Sequence, residues 1–369
     1  MNTTKPFFAC AMIAALAPAS WAQSKVEMYG IVDVAVRHTT NEGGSGNGTL
    51  TQMIGGGMSQ SRFGINVTED LGGGLRAIAN LENRFLADSG QIAATNFFQQ
   101  SWVGLQSSTF GRITMGRQYN VLFDLVTSTY ASYPYSPYFE AYKPEIGFSL
   151  GARSSNMLKY TAEYGPFRGG LQYSPSEDSP TGGRTAGGYL RYAADGLALG
   201  GAYQTLQFGS GRKIEAWTLG GTYRIENCYL NLGYGQNKID GGPLTAPLDL
   251  AVLSGIWSGS SVTNGNFGGP AFLAANKRTI AKLGVGYQLT PQLNLGAHYF
   301  RTNQSGPTLA GDTKGDFFTV ALDYAFSKRT DAYIEADRTK LKGDANLNGG
   351  TTAGPKSRNG YTIGLRHRF

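Results

Sequence analysis

The sequence predicts an all-β protein, a 16-stranded antiparallel transmembrane β-barrel with apolar side chains outward and polar ones around a water-filled interior. Three observations predict it. Successive stretches of about ten residues alternate apolar and polar side chains, the period of a strand with two unlike faces. The connections between them alternate between very short and long, as a barrel with one tight and one elaborated end requires. No run of about 18 apolar residues, the length a helical span needs, occurs beyond residue 22.

Residues 1–22 read as an export signal removed in the mature chain. Lys5 supplies the positive start, Phe7 to Ala17 the apolar run, and Pro18-Ala-Ser-Trp-Ala22 a small-residue cleavage site. Cys10 precedes most of the apolar run, which argues against a lipid-modified cysteine. Removal of the signal takes away Lys5 and no acid, so 31 basic residues face 25 acidic ones, a net charge of +6. That balance is mildly basic and without a basic cluster, so nucleic acid is not expected as a partner. Cys228 is then the sole cysteine, and no intrachain disulfide can form.

The first strand, 26–37, sets Val26, Met28, Gly30, Val32, Val34 and Val36 on one face. Glu27, Tyr29, Ile31, Asp33, Ala35 and Arg37 take the other. A Gly/Asn-rich stretch to residue 57 reads as a flexible external loop, without the Gly-Lys-Ser/Thr ending of a phosphate cradle. The second strand turns Phe63, Ile65 and Val67 one way and Arg62, Gly64 and Asn66 the other. After a turn at 69–74, the third sends Leu75, Ala77, Ala79, Leu81 and Phe85 outward, with Arg76, Asn80, Glu82 and Arg84 opposite. The fourth and fifth follow at 97–106 and 112–117. Eleven more are expected at 153–162, 166–174, 187–194, 197–207, 213–225, 228–237, 279–289, 292–303, 314–326, 330–340 and 357–369. In the last, Tyr361, Ile363, Leu365, His367 and Phe369 share a face, and the terminal aromatic Phe369 reads as the barrel's terminus and assembly signal.

Short turns at 69–74, 107–110, 163–165, 195–196, 226–227, 290–291 and 327–329 alternate with long connections that include 38–58, 118–152 and 238–278. A soluble sandwich has no reason to segregate its connections in this way. The stretch 118–152 shows no strand alternation, yet it carries Tyr119, Phe123, Tyr130, Tyr133, Tyr135, Tyr138, Phe139, Tyr142 and Phe148. Disordered segments are poor in aromatics. It is therefore expected to pack inside the barrel and narrow it.

The residues resemble the general trimeric porins of Gram-negative bacteria, in particular their betaproteobacterial branch. The resemblance covers essentially the whole mature chain. It rests on Met28-Tyr-Gly-Ile-Val-Asp33, Ser61-Arg-Phe-Gly64, Glu69-Asp-Leu-Gly-Gly-Gly-Leu75, Val103-Gly-Leu105, Phe110-Gly-Arg-Ile-Thr-Met-Gly-Arg117, Phe326-Ser-Lys-Arg-Thr330 and Gly364-Leu-Arg-His-Arg-Phe369. Each is short, and their order makes the set specific. The resemblance implies an outer-membrane homotrimer, a third external loop folded inward as a constriction, and passive diffusion of small hydrophilic solutes. It maps Arg62 and Arg153 onto the basic wall of that constriction, with Gln99 where a third basic residue is expected and Arg84 nearby. It also sets Lys143 and Glu145 at the loop tip, Glu145 facing the arginines, with Ala141 where an acidic partner is common.

Charges facing each other across a narrow aqueous gap orient dipolar solutes and penalise apolar ones. Arg62, Arg84, Arg153 and Lys143 outnumber Glu82 and Glu145, so a modest anion preference is expected. Arg117 shares parity with Ile113 and Met115, and a subunit interface on the first five strands would shelter it from lipid; the headgroup level would serve equally. His38, His298 and His367 show no metal-ligand spacing and no serine partner, so neither cofactor, metal nor catalysis is expected. Two other functions fit the architecture. One is a substrate-selective channel for phosphate or small organic anions, the other an adhesive barrel acting through external loops.

Overall fold

The computed structural model describes residues 24–42, 47–93, 96–131, 144–146, 150–176, 183–241, 275–306, 313–343 and 354–369. The proposed signal 1–22, Lys143 and Ala141 lie outside them. The strands are β1 (Lys25–Glu42), β2 (Gly48–Ile54), β3 (Arg62–Gly72), β4 (Leu75–Arg84), β5 (Phe98–Ser107), β6 (Gly111–Tyr119), β7 (Arg153–Tyr164), β8 (Phe167–Ser174) and β9 (Arg184–Ala194). They continue as β10 (Leu197–Gln207), β11 (Lys213–Ile225), β12 (Cys228–Ile239), β13 (Lys277–Gln288), β14 (Leu293–Ser305), β15 (Thr313–Ala325), β16 (Thr330–Lys342) and β17 (Ser357–Arg368). Helix α1 (Val121–Thr129) follows β6.

Each strand pairs antiparallel with its neighbours, and β17 returns to β1 from Ile31↔Arg368 to Thr39↔Gly360, closing the barrel. Seventeen strands make sixteen staves, because β2 and β3 share one edge of β1. β3 covers Lys25 to Ile31, and β2 covers the half from Ala35 to Glu42. The stretch read as a flexible loop thus contains a strand. Its cause is the edge that β3 leaves open on β1, whose backbone groups need partners.

The alternation separates two environments. On β1, Val26 is 67% and Met28 70% exposed, whereas Asp33 is 0% and Arg37 5% exposed. The short-turn end shows the backbone chemistry such turns demand. Asp195 (φ 50°) and Gly196 (φ 81°) both lie in the left-handed region, which a two-residue hairpin turn uses to match strand twist. At the seam, the Gly30 amide donates to the Phe369 carbonyl (3.0 Å) and the Phe369 amide to the Gly30 carbonyl (3.1 Å). The Phe369 ring covers Gly30 so closely that a Cβ there would sit 2.2 Å from Cζ.

Helix α1 was not expected within 118–152. Asn120 starts it, its Oδ1 accepting from the Phe123 amide (2.8 Å) while its Nδ2 donates to the Gly151 carbonyl (2.7 Å). Val121, Leu122, Leu125 and Val126 are buried and face the same sides of β8–β11 as Ala198 and Ala202, away from exposed Leu199 and Tyr203. Glycines make this approach possible. A Cβ at Gly200 would stand 2.5 Å from Leu125 Cδ1, and one at Gly220 would stand 2.4 Å from the Tyr130 ring.

Candidate pore-lining site

β3 and β4 run side by side, with Arg62 opposite Arg84 and Gly64 opposite Glu82. Parity turns Arg62, Glu82 and Arg84 away from exposed Phe63 and Leu81. Arg153, at the start of β7, reaches the same carboxylate. Arg62 Nη1 lies 3.9 Å from Glu82 Oε2, Arg84 Nε 3.4 Å from Oε1, and Arg153 Nη2 3.9 Å from Oε1. Tyr29 completes the set by donating its hydroxyl to Glu82 Oε2 (3.2 Å). Three guanidinium groups share one carboxylate, so these four charged side chains together carry a charge of +2.

Tyr119 joins this cluster to the segment that follows β6. Its hydroxyl accepts from Arg153 Nη2 (2.8 Å) and from Arg84 Nη2, and the Arg153 guanidinium stands 4.4 Å from its ring centre. Phe123 stacks on Tyr119, with ring centres 3.9 Å apart and planes within 5°. Arg153 is therefore mostly covered, its side chain 5% exposed, while that of Arg62 is 20% exposed. Of the two arginines assigned to the basic wall by resemblance, Arg62 is the accessible one. Arg153 anchors the aromatic pair. Lys159 holds the helix as well, its Nζ 2.8 Å from Asp124 Oδ2 and donating to the Tyr119 carbonyl.

Gln99 is buried on β5 and donates to the Asn96 carbonyl (2.8 Å) at an irregularity in the β4–β5 pairing beside Glu82. Glu145 is 1% exposed and follows Pro144, whose carbonyl accepts from Asn237 Nδ2 on β12 (2.8 Å). β12 stands across the ring from β3 and β4. Tyr130 lies on the same wall, its ring against Gly220 and Gly233 and its hydroxyl on Thr218. Burial pushes the Tyr130 phenol above its usual range, and the nearby Glu145 carboxylate adds to the rise. Arg117 donates Nη1 to the exposed Ser155 hydroxyl on β7 (2.9 Å).

A second interior network was not foreseen. Residues 55–61, between β2 and β3, fold against β1, β16 and β17. Asp33 accepts from the amides of Gly57 (3.1 Å), Met58 (3.1 Å) and Ser59 (2.7 Å) and from the Tyr333 hydroxyl (2.5 Å). Met58 is fully buried with Ala35, Ala321 and Tyr333. Arg366 bridges Ser59 Oγ and Asp331 Oδ1, and Arg37 makes a two-pronged pair with Asp337 (2.6 and 3.0 Å). Parity assigns Asp33, Arg37 and Arg366 to the inner face, but nothing local indicates that a glycine-rich stretch would seek Asp33. His298 is buried on β14, and no cluster of metal-ligating side chains occurs among the described residues.

A closed barrel with alternating lipid-facing and polar walls and an interior cationic cluster is the architecture of a channel. Residues 9–344 match the family profile described as Gram-negative porin. The chain belongs to that family. Over nearly its full length this porin is similar to an outer membrane porin protein of Bordetella pertussis (28% identical; 99% of this chain, 100% of the relative). It is likewise similar to outer membrane porin protein 32 of Delftia acidovorans (29% identical; 99% of each chain). Among solved structures, the anion-selective porin from Comamonas acidovorans shares its fold with a TM-score of 0.72 at 24% identity, covering 94% of this chain and 100% of that one. The trimer form of the Vibrio cholerae outer membrane protein OmpT shares it at 0.67 and 17% identity, covering 94% and 99%. This porin is an outer-membrane channel, as the resemblance implied.

Proposed function

We propose that this porin is a general diffusion channel for small hydrophilic solutes with a modest preference for anions. The observation that carries this reading is the sharing of the Glu82 carboxylate by Arg62, Arg84 and Arg153 on one wall. Its surplus positive charge raises the local anion concentration in the adjacent water. The described residues 119–131 take up part of the bore, with α1 and the Tyr119–Phe123 stack against the wall and Glu145 on the opposite side. Solutes then cross a transverse field that favours dipolar molecules able to keep their hydration. Permeation, rather than catalysis, is the activity this arrangement supports. The anion-selective porin from Comamonas acidovorans, which shares this fold, agrees with that sign.

Recordings across a planar bilayer under a potassium chloride gradient test the reading. The reversal potential is expected on the anion side, with conductance rising linearly with salt. A cation-side potential overturns the proposal, and saturation with one organic anion would mark a substrate-selective channel instead.

The assembly proposed is a homotrimer with β1–β6, the first five staves, toward the axis. The trimer form of the Vibrio cholerae structure supports it, and so does the outward Arg117, which would be costly in lipid at mid-bilayer by about 2–4 kcal/mol. Arg117→Glu is expected to shift the trimer band to monomer in native electrophoresis at unchanged barrel heat stability. An undisturbed trimer would leave Arg117 at the headgroup level.

A further inference from the structure

Helix α1 has two unlike faces. Val121, Leu122, Leu125, Val126 and Thr129 are buried on the side toward β8–β11. At about 100° per residue, Phe123 and Thr127 fall on the opposite side, toward the bore, with Asp124 beside them. Thr127 is exposed there, and Phe123 and Asp124 are half-buried. Tyr119 lies four residues before Phe123, and the two rings stack with their centres 3.9 Å apart. Asn120 fixes this arrangement, because its cap on the Phe123 amide (2.8 Å) sets where the first turn begins.

Tyr119 takes one face of the Phe123 ring, and among the described residues no other ring or cation lies against it. The remaining face is the apolar surface that this helix offers the bore. The neighbouring Asp124 carboxylate is matched by Lys159 Nζ (2.8 Å), so the platform carries no uncompensated negative charge. Cations stand at the hydroxyl end of the stack, with the Arg84 guanidinium 6.0 Å and that of Arg153 4.4 Å from the Tyr119 ring centre. Both are committed to Tyr119 and Glu82. Arg62 is held more loosely. It donates Nε to the Gln60 carbonyl (3.2 Å), and its Nη1 stands 3.9 Å from Glu82 Oε2, too far for a hydrogen bond. Among the described residues its two terminal nitrogens therefore form an open fork on a side chain that is 20% exposed.

We propose that Phe123 and Arg62 form a subsite that favours aromatic carboxylates over other organic anions of equal charge. The Arg62 fork takes the carboxylate, whose geometry a planar guanidinium matches, and the solute ring lies on the open face of Phe123. A charged, water-filled bore penalises apolar surface. An aromatic platform beside the cation offsets that penalty for flat rings, which stack, and not for saturated ones. The inference rests on the anion-favouring channel proposed above, and it adds a difference of degree between solutes rather than saturable selection.

The test measures reversal potentials of the purified porin in planar bilayers, with chloride on one side and benzoate or cyclohexanecarboxylate on the other. Benzoate is expected to be about three- to tenfold more permeant than cyclohexanecarboxylate through the wild type, an arm that depends on no variant folding. Pentafluorobenzoate, wider but with the ring quadrupole reversed, is expected to be at least as permeant as benzoate. Phe123→Leu is expected to bring the benzoate-to-cyclohexanecarboxylate ratio close to one, and Phe123→Tyr, which restores a flat face, to recover it. Arg62→Gln is expected to lower benzoate about threefold against chloride, which needs no fork. Equal permeability of benzoate and cyclohexanecarboxylate through the wild type overturns the subsite, while the potassium chloride potential decides the anion preference separately. Slower pentafluorobenzoate would mark a slot that merely passes thin solutes and overturns it too. So does a ratio that survives Phe123→Leu or is not recovered by Phe123→Tyr, and an unchanged benzoate-to-chloride ratio in Arg62→Gln overturns the part given to Arg62.

Discussion

A channel carrying both Arg62→Glu and Arg84→Glu is expected to prefer cations. In the wild type, three arginines and Glu82 sum to +2, whereas the double variant leaves Arg153 against three carboxylates, a sum of −2. At about 8 Å from the permeation path, each unit charge contributes about 0.5 kcal/mol in water. A swing of four charges is therefore worth about 2 kcal/mol, or about thirtyfold in relative permeability at low salt. Screening reduces this as ionic strength rises, because the Debye length falls to about 10 Å at 0.1 M. The reversal potential under a salt gradient should change sign, and the change should shrink in concentrated salt. Arg62→Glu alone, with the more exposed of these side chains, should bring the potential close to zero. Persistent anion preference in the double variant would mean that another part of the bore controls selectivity. Arg153 is left in place because its guanidinium stands 4.4 Å from the Tyr119 ring centre and donates to the hydroxyl; Arg84 also donates to that hydroxyl, so Arg62→Glu alone is the variant that changes charge without touching Tyr119.

Asp33→Ala is expected to be the most damaging single substitution for the barrel wall. It removes the acceptor for three consecutive backbone amides and for the Tyr333 hydroxyl in a site fully screened from solvent. Hydrogen bonds to a charged group contribute about 1.5–3 kcal/mol each, and a buried partner left without one costs more than the bond itself. Some amides can rehydrate from the lumen, so a net loss of about 3–5 kcal/mol is expected. It should appear as a lower temperature for the heat-induced mobility shift on gels. Residues 55–61 would also leave the inner wall, giving a larger single-channel conductance. Asp33→Asn, which keeps one acceptor oxygen, should fall between. Wild-type heat stability and conductance in Asp33→Ala would refute the role given to this carboxylate.

Much of the wall was legible because its signal is local. Alternation at period two assigns Val26 and Met28 to the outer face and Asp33 and Arg37 to the interior without reference to any distant residue. The same rule turned Arg62, Glu82 and Arg84 to one side, and the Asp-Gly pair at 195–196 announced its hairpin. Asn120 before an apolar 121, 122, 125, 126 pattern is a helix signal as well, but a short one of a little over two turns set among aromatic residues without period. The covering of Arg153 by Tyr119 and Phe123 had no such signal, since stacking geometry depends on where β6 and β7 hold the two ends of the intervening segment.

The amino-acid order by itself determined the barrel, its inside and outside, and which cations face water, since side-chain parity along a strand is a property of neighbouring residues. Only the tertiary structure decided which of those groups meet. Asp33 and Tyr333 are 300 positions apart, and β2 became a strand because β1 had an open edge to fill. Such contacts depend on how the ring closes, and closure is a property of all sixteen staves together rather than of any one.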